Sequence, residues 1–182
     1  AALALALLLG AARLVQERQA ADQESLAPSR PIAVATLPGA TAAAAAPAGR
    51  SGSLSEPERA LAAAINAARN EAGLPMLTMD SRLSAAAAGH SADLLTHDAC
   101  SHEGSDGSTL ESRLNAAGVK ASAYAETVAC GSGSADAAVR QWLDSKVHRP
   151  ILLGKAYRRL GVGVAVSADG GDSRWTADLG QP

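Results

Sequence analysis

The sequence predicts an α+β fold, and three observations carry that prediction. Apolar residues recur at helical spacing from about 57 to 97, two runs near the end alternate with period 2, and Gly170-Gly171-Asp172 between those runs is a hairpin turn signal. Helical pieces come first and antiparallel strands last, which excludes a doubly wound parallel sheet.

Each element has its own reason. Ser55-Glu56-Pro57-Glu58 offers an N-cap, a first-turn proline and early acids that suit the positive end of a helix dipole. Leu61, Ala64, Ile65, Ala68 and Ala72 then fall on one stripe, and Gly73 and Pro75 stop the helix. Asp80 or Ser81 caps a second helix, with Leu83, Ala86, Ala87, His90, Leu94 and His97 along one stripe. A polar loop, Ser101 to Gly107, precedes a third short helix, for which Ser108 and Glu111 have capping-box spacing and Gly118 is the stop. A strand is expected over Tyr124 to Cys130 and a helix over Ser134 to Ser145, by the spacing of Ala135, Ala138, Val139, Trp142 and Leu143. The alternating runs Leu160 to Val166 and Arg174 to Leu179 complete a three-stranded, mainly antiparallel sheet that needs helices on its faces.

Of 182 residues, 47% are hydrophobic and 19% charged, so the length allows one ordinary domain and a tail. The domain is read as 55–182. Residues 13–54, rich in Ala, Pro and Gly without a sustained period, read as a disordered linker, and 1–12 as the apolar part of a signal peptide or membrane anchor truncated at its front. That implies a secreted, periplasmic or cell-envelope protein, with a membrane tether only if the apolar segment is retained. Past it, no run reaches the roughly 18 apolar residues of a spanning helix. A net charge of -2 supplies no basic stripe for phosphates, which argues against a nucleic-acid partner.

The aromatic residues are Tyr124, Trp142, Tyr157 and Trp175, so the core must rest on Leu, Val, Ile and Ala, with less apolar area per side chain. In an exported chain, Cys100 and Cys130 are expected to pair and compensate in part; the alternative is two separate buried thiols. Of the four histidines, His90 and His97 lie seven apart on a helix, unlike the three or four that chelates one ion, and read as structural. His102 and His148 stand where packing needs no histidine.

Ser101-His102, Gly104-Ser105-Asp106-Gly107-Ser108, Arg113-Leu114 and Ala116-Ala117-Gly118 form a run that resembles bacterial proteins of the CAP superfamily, the cysteine-rich secretory, antigen 5 and pathogenesis-related proteins, also called SCP-like. Ala125-Glu126-Thr127-Val128-Ala129 resembles the family's GENIA segment, and Trp142-Leu143-Asp144-Ser145 with His148-Arg149-Pro150-Ile151-Leu152 resembles its W-L-x-S-x-x-H-R segment. Gly161 to Ala165 and Trp175-Thr176 resemble the closing strands. The resemblance implies an α-β-α sandwich with a cleft in which His102, Glu126 and His148 match members of a His/Glu set. Where eukaryotic members carry a second Glu, this chain has Ser145, beside Asp144. Ala125 for Gly and Thr127 for Asn are further departures, which predict backbone strain at Ala125 and a lost amide at Thr127.

Two neutral imidazoles can hold Zn²⁺ at about 2.0–2.1 Å, with Glu126 as a third ligand or as the group that orients a ring. Such a site would exchange its ion and need not be catalytic. The resemblance favours a binding or cell-envelope module for a lipid, sterol or protein ligand over an enzyme. The alternative is a hydrolase, protease or esterase, with His102 or His148 as general base, Glu126 orienting it and Ser101 or Ser145 as nucleophile; neither G-x-S-x-G nor H-E-x-x-H occurs. A third reading makes the three residues a buried polar network that ties loops to the sheet.

Overall fold

The computed structural model describes residues 53–181. The signal or anchor reading of 1–12 and nearly all of the linker reading lie outside the described residues.

Helix α1, Glu56–Glu71, starts as its cap predicts: the Glu58 carboxylate accepts from the backbone N–H of Ser55 at 2.7 Å and from its hydroxyl at 2.8 Å. Strand β1 is Thr78–Met79, and α2 follows over Ser81–Thr96 with Asp80 accepting the Arg82 N–H at 2.9 Å. Helix α3, Leu110–Ala116, begins one residue later than its sequence suggests. Ser108 is held in the preceding turn by its N–H bond to Asp106 at 2.8 Å, so the capping box forms between Thr109 and Ser112. Strand β2 (Ala123–Cys130), α4 (Ala135–Asp144), α5 (His148–Leu152), β3 (Arg159–Val166) and β4 (Ser173–Gln181) complete the chain.

The sheet has four strands in the order β1-β3-β4-β2, one more than the three expected. Two residues carry no readable alternation. β1 exists because Thr78 donates to the Arg158 carbonyl at 2.9 Å and Asp80 to that of Leu160 at 2.8 Å, pairing parallel to β3. The other pairings, β3 with β4 and β4 with β2, are antiparallel.

The two sheet faces are covered differently. Leu160, Val162, Ala129, Trp175, Ala177 and Leu179 point to the larger core, where Leu61 and Ile65 of α1, Trp142 of α4 and Leu152 of α5 meet them. The Trp142 indole N–H also donates to the Val128 carbonyl of edge strand β2 at 3.0 Å, so a core side chain shields the edge. On the opposite face α2 lies almost directly on the sheet. A Cβ on Gly161 would fall 2.1 Å from the Leu83 carbonyl carbon, and one on Gly163 2.2 Å from that of Ala87. Ser91 fastens this contact by donating to Thr176 Oγ1 at 2.8 Å. A smaller cluster, Leu83, Ala86, Leu114 and Val119, joins α2 to α3. The layers are the α-β-α sandwich that the resemblance implies.

Cys100 and Cys130 are bonded to each other, as expected, tying the loop after α2 to the end of β2 across 30 residues of sequence. On chain-entropy grounds this closure contributes about 3–4 kcal/mol.

Candidate functional site

Strand parity decides which side chains of β2 can act together. Ala129 and Ala125 pair with Trp175 and Leu179 of the larger core, so Glu126, paired with Asp178, emerges on the α2 face. Both acids are buried, Asp178 completely. The loop from 97 to 109 and α3 close over this face and bring Glu126 its partners.

His102 donates from Nδ1 to Glu126 Oε1 at 2.7 Å, and Arg113 of α3 donates from Nη2 to Oε2 at 2.7 Å. Arg113 also holds the loop itself, donating from Nη1 to the carbonyls of His102 at 3.1 Å and Ser108 at 3.0 Å. His90, buried on α2, donates from Nε2 to the Ser101 carbonyl at 2.9 Å and lies 3.9 Å from Glu126 Oε1. The His102 ring is half exposed above this buried base.

The charges follow from that packing. Burial opposes ionisation of Glu126, but the His102 hydrogen bond and the positive charge of Arg113 outweigh it and hold its pKa below the ordinary carboxylate value. Asp178 goes the other way: complete burial, then the negative charge of Glu126, push its pKa well above the ordinary value. Among the described residues, no donor hydrogen-bonds to either Asp178 oxygen. Burial also lowers the pKa of His90, with Arg113 adding to the effect and Glu126 opposing it, so His90 is neutral and its tautomer is set by the bond to Ser101.

His148 approaches from the other side of β2, at the start of α5. The buried guanidinium of Arg69 donates from Nη1 to the Leu152 carbonyl at 2.8 Å and to that of Gly154 at 3.0 Å, fastening the end of α5 to α1. The His148 ring centroid stands 6.4 Å from that of His102, with the rings tilted by 42°. Ser145 Oγ lies 3.0 Å from His148 Nδ1 and also accepts the backbone N–H groups of Val147 and His148, both at 3.3 Å.

The fold thus brings His102, Glu126 and His148 to one place and adds Ser145. Ser101 takes no part through its hydroxyl, which accepts the Glu103 N–H at 2.9 Å, and His97 is exposed and bonded to Asp93. Ala125 sits in extended strand, and among the described residues Asp98 is the non-glycine residue with positive φ, so the expected strain at Ala125 is absent. Thr127 is fully buried, and its hydroxyl has no hydrogen-bond partner among the described residues.

The donor set fits a three-ligand metal site poorly and a two-imidazole site loosely. Both Glu126 oxygens are taken, and among the described residues no three His, Cys, Asp or Glu side chains are arranged to hold an ion. A tetrahedral ion bonded to one nitrogen of each ring at about 2.0–2.1 Å would bring the centroids to about 5 Å. The observed 6.4 Å therefore requires the rings to close before they share an ion. Glu126 matches the oriented-histidine arrangement, a carboxylate behind the ring rather than a ligand.

Arg113, His90 and Asp178 complete the site and were not predicted as site residues. The signal for Asp178 is its parity: it shares a face with Thr176 and Arg174 of β4, opposite Ala177 and Leu179. The signal for Arg113 is an arginine on a helix of seven residues that follows a histidine loop.

Comparison with known proteins agrees with this architecture. The chain is 35% identical over 99 residues, 54% of its length, to the uncharacterized membrane protein YlbC of Bacillus subtilis, and it spans 29% of that relative. Among solved structures it resembles an extracellular protein containing an SCP domain from Bacillus anthracis, with a TM-score of 0.63, 27% identity, and coverage of 72% of this chain and 45% of that one. It shares its fold with an outer surface protein of Borrelia burgdorferi, with a TM-score of 0.64, 21% identity, and coverage of 69% of this chain and 92% of that one. No helix among the described residues is long and apolar enough to cross a membrane. The model of the cysteine-rich secretory protein family matches residues 62–179, and the chain belongs to that family, CAP.

Proposed function

We propose that this CAP domain is a secreted or cell-envelope binding module whose working surface is the gap between His102 and His148. The observation that carries the reading is the chain Arg113, Glu126, His102: a buried ion pair fixes one ring by its Nδ1 and leaves the other nitrogen to meet a ligand. A structural network would have no need to leave that ring half exposed. Exposed Val147 beside His148 and exposed Tyr124, two residues before Glu126 on β2, give the surroundings apolar surface suited to a lipid, sterol or protein partner.

If the rings closed on a divalent cation, Zn²⁺ first, His102 and His148 would hold it with solvent completing its shell, and Glu126 would orient His102 from behind. Such an ion would exchange readily and would shape the gap for a ligand. Calorimetric titration of the purified domain with Zn²⁺ tests this: uptake of one ion per chain that is lost in both His102→Ala and His148→Ala would place the ion in the gap. Unchanged uptake in both variants would withdraw the metal from the gap.

One contact favours a hydrolase as a second reading, the 3.0 Å approach of Ser145 Oγ to His148 Nδ1. Against it, the acid of the site backs His102 instead of His148, and the same hydroxyl caps two backbone amides. Ester hydrolysis by purified protein that disappears in Ser145→Ala would establish this reading, and equal rates in both proteins would remove it.

A further inference from the structure

The two histidines of the gap are held by chemically opposite partners. Glu126 is a carboxylate that can only accept, so the His102 proton lies on Nδ1 and Nε2 carries a lone pair. Ser145 is different. Its oxygen already accepts the N–H groups of Val147 and His148, which uses its acceptor side and leaves its own hydrogen to donate to His148 Nδ1. A ring that accepts at Nδ1 carries its proton on Nε2 and, in that tautomer, has no lone pair there for a metal.

We propose that Ser145 and Glu126 set opposite tautomers on His148 and His102, so that the gap takes a hydroxyl group in preference to a divalent cation. The inference rests on the gap being the binding site and names its ligand chemistry. A hydroxyl is both donor and acceptor: it accepts from His148 and donates to His102. The spacing agrees. An oxygen about 2.8 Å from one nitrogen of each ring, at a tetrahedral angle, separates the ring centroids by about 6.5 Å. The observed separation is 6.4 Å, whereas a shared metal ion would need about 5 Å. Ser145 is therefore a specificity-determining residue: with a carboxylate in its place, His148 would carry its proton on Nδ1 and present a lone pair to an ion.

The test reads the tautomers directly, by long-range ¹H–¹⁵N spectra of the imidazoles at a pH well above the ordinary histidine range. Protons on His102 Nδ1 and His148 Nε2 are expected in the wild-type protein; a proton on His148 Nδ1 would overturn the inference whatever the metal titration shows. Ser145→Glu, with Ser145→Asp as a second variant, is expected to move the His148 proton to Nδ1 and raise Zn²⁺ affinity about tenfold or more. A change below twofold in a variant whose tautomer has moved would also overturn it. Two probes separate the sources of the hydroxyl, methyl glucoside for a sugar and 1-octanol for a lipid, each against its methyl ether. Shifts of both imidazoles with one alcohol and not with its ether support the inference and identify the source, and silence with both alcohols sinks it. Failure of wild-type Zn²⁺ uptake removes the metal from the proposed function, but supports this inference if Ser145→Glu gains uptake.

Discussion

Glu126 and Asp178 face each other across the pairing of β2 with β4, both buried, and the structure makes one of them an anion and the other a neutral acid. Arg113 is the cation that meets this pair, and it bonds Glu126. Two carboxylates side by side with one cation cannot both ionise cheaply, so the proton stays on the deeper group.

The first prediction follows from the sign of these shifts. Asp178 has a folded-state pKa above the ordinary 3.8, so its contribution to stability is fully present below that value and is lost as pH rises through the folded pKa. Glu126 is held below the ordinary 4.5, so its contribution is present above that value and is lost as pH falls through the folded pKa. Asp178→Asn removes the first effect and leaves the second. Urea denaturation from pH 4 to 9 should show the variant gaining on the wild type as pH rises. Parallel stability curves would show that Asp178 ionises without cost.

A second prediction concerns the ion pair beneath His102. Arg113 and Glu126 are both largely buried as side chains, and removing one partner leaves an uncompensated charge. Glu126→Leu is therefore expected to cost about 3–5 kcal/mol. Arg113→Leu in the same background should recover part of that loss, because two apolar side chains leave no orphan charge. Chemical denaturation of both single variants and the double variant measures the coupling, and strictly additive losses would contradict a mutual interaction.

The seat of α2 on the sheet gives a third. Gly163→Ala would place its Cβ 2.2 Å from backbone of Ala87 and Ala88, where no flexible side chain can give way. Helix and sheet must separate, at a cost of about 1–3 kcal/mol or more by the measure of overpacked cores. Because His90 and Ser91 sit farther along the same helix, the variant should also broaden the NMR signal of His102, whose loop rests on His90. Gly89→Ala is the control, since its Cβ meets nothing within 4 Å.

Those glycines show what a sequence displays and what it conceals. The helices are legible because Leu61 and Ile65, or Leu83 and Leu94, must share a stripe to be buried, and Ser55 and Asp80 announce the starts. The cleft set is legible as motifs, since His102 and His148 occupy positions where packing asks for no histidine. The partnership within the set is not. Nothing local says that Arg113 reaches Glu126 across 13 residues, or that Ser145 instead of an acid supports His148. Asp178 hides for the same reason: its neighbour Glu126 lies 52 positions away in sequence and is met only through strand register. The short β1 escapes because two residues have no period.

The disulfide supplies the last prediction. Cys100 precedes His102 by two residues and Cys130 follows Glu126 by four, so the bond joins the two segments whose contact orients the ring. Replacing both cysteines by serine should cost about 3–4 kcal/mol if chain entropy dominates. The local effect is separable from the global one. Under conditions where the variant remains folded, the loop from 97 to 109 is still held by Arg113 and by the Ser105 N–H bond to Asp93 at 2.8 Å. Hydrogen exchange should therefore rise most at residues 99–102 and little around Ser105. Uniformly faster exchange over the whole domain would mean that the bond stabilises the fold without singling out the His102 loop.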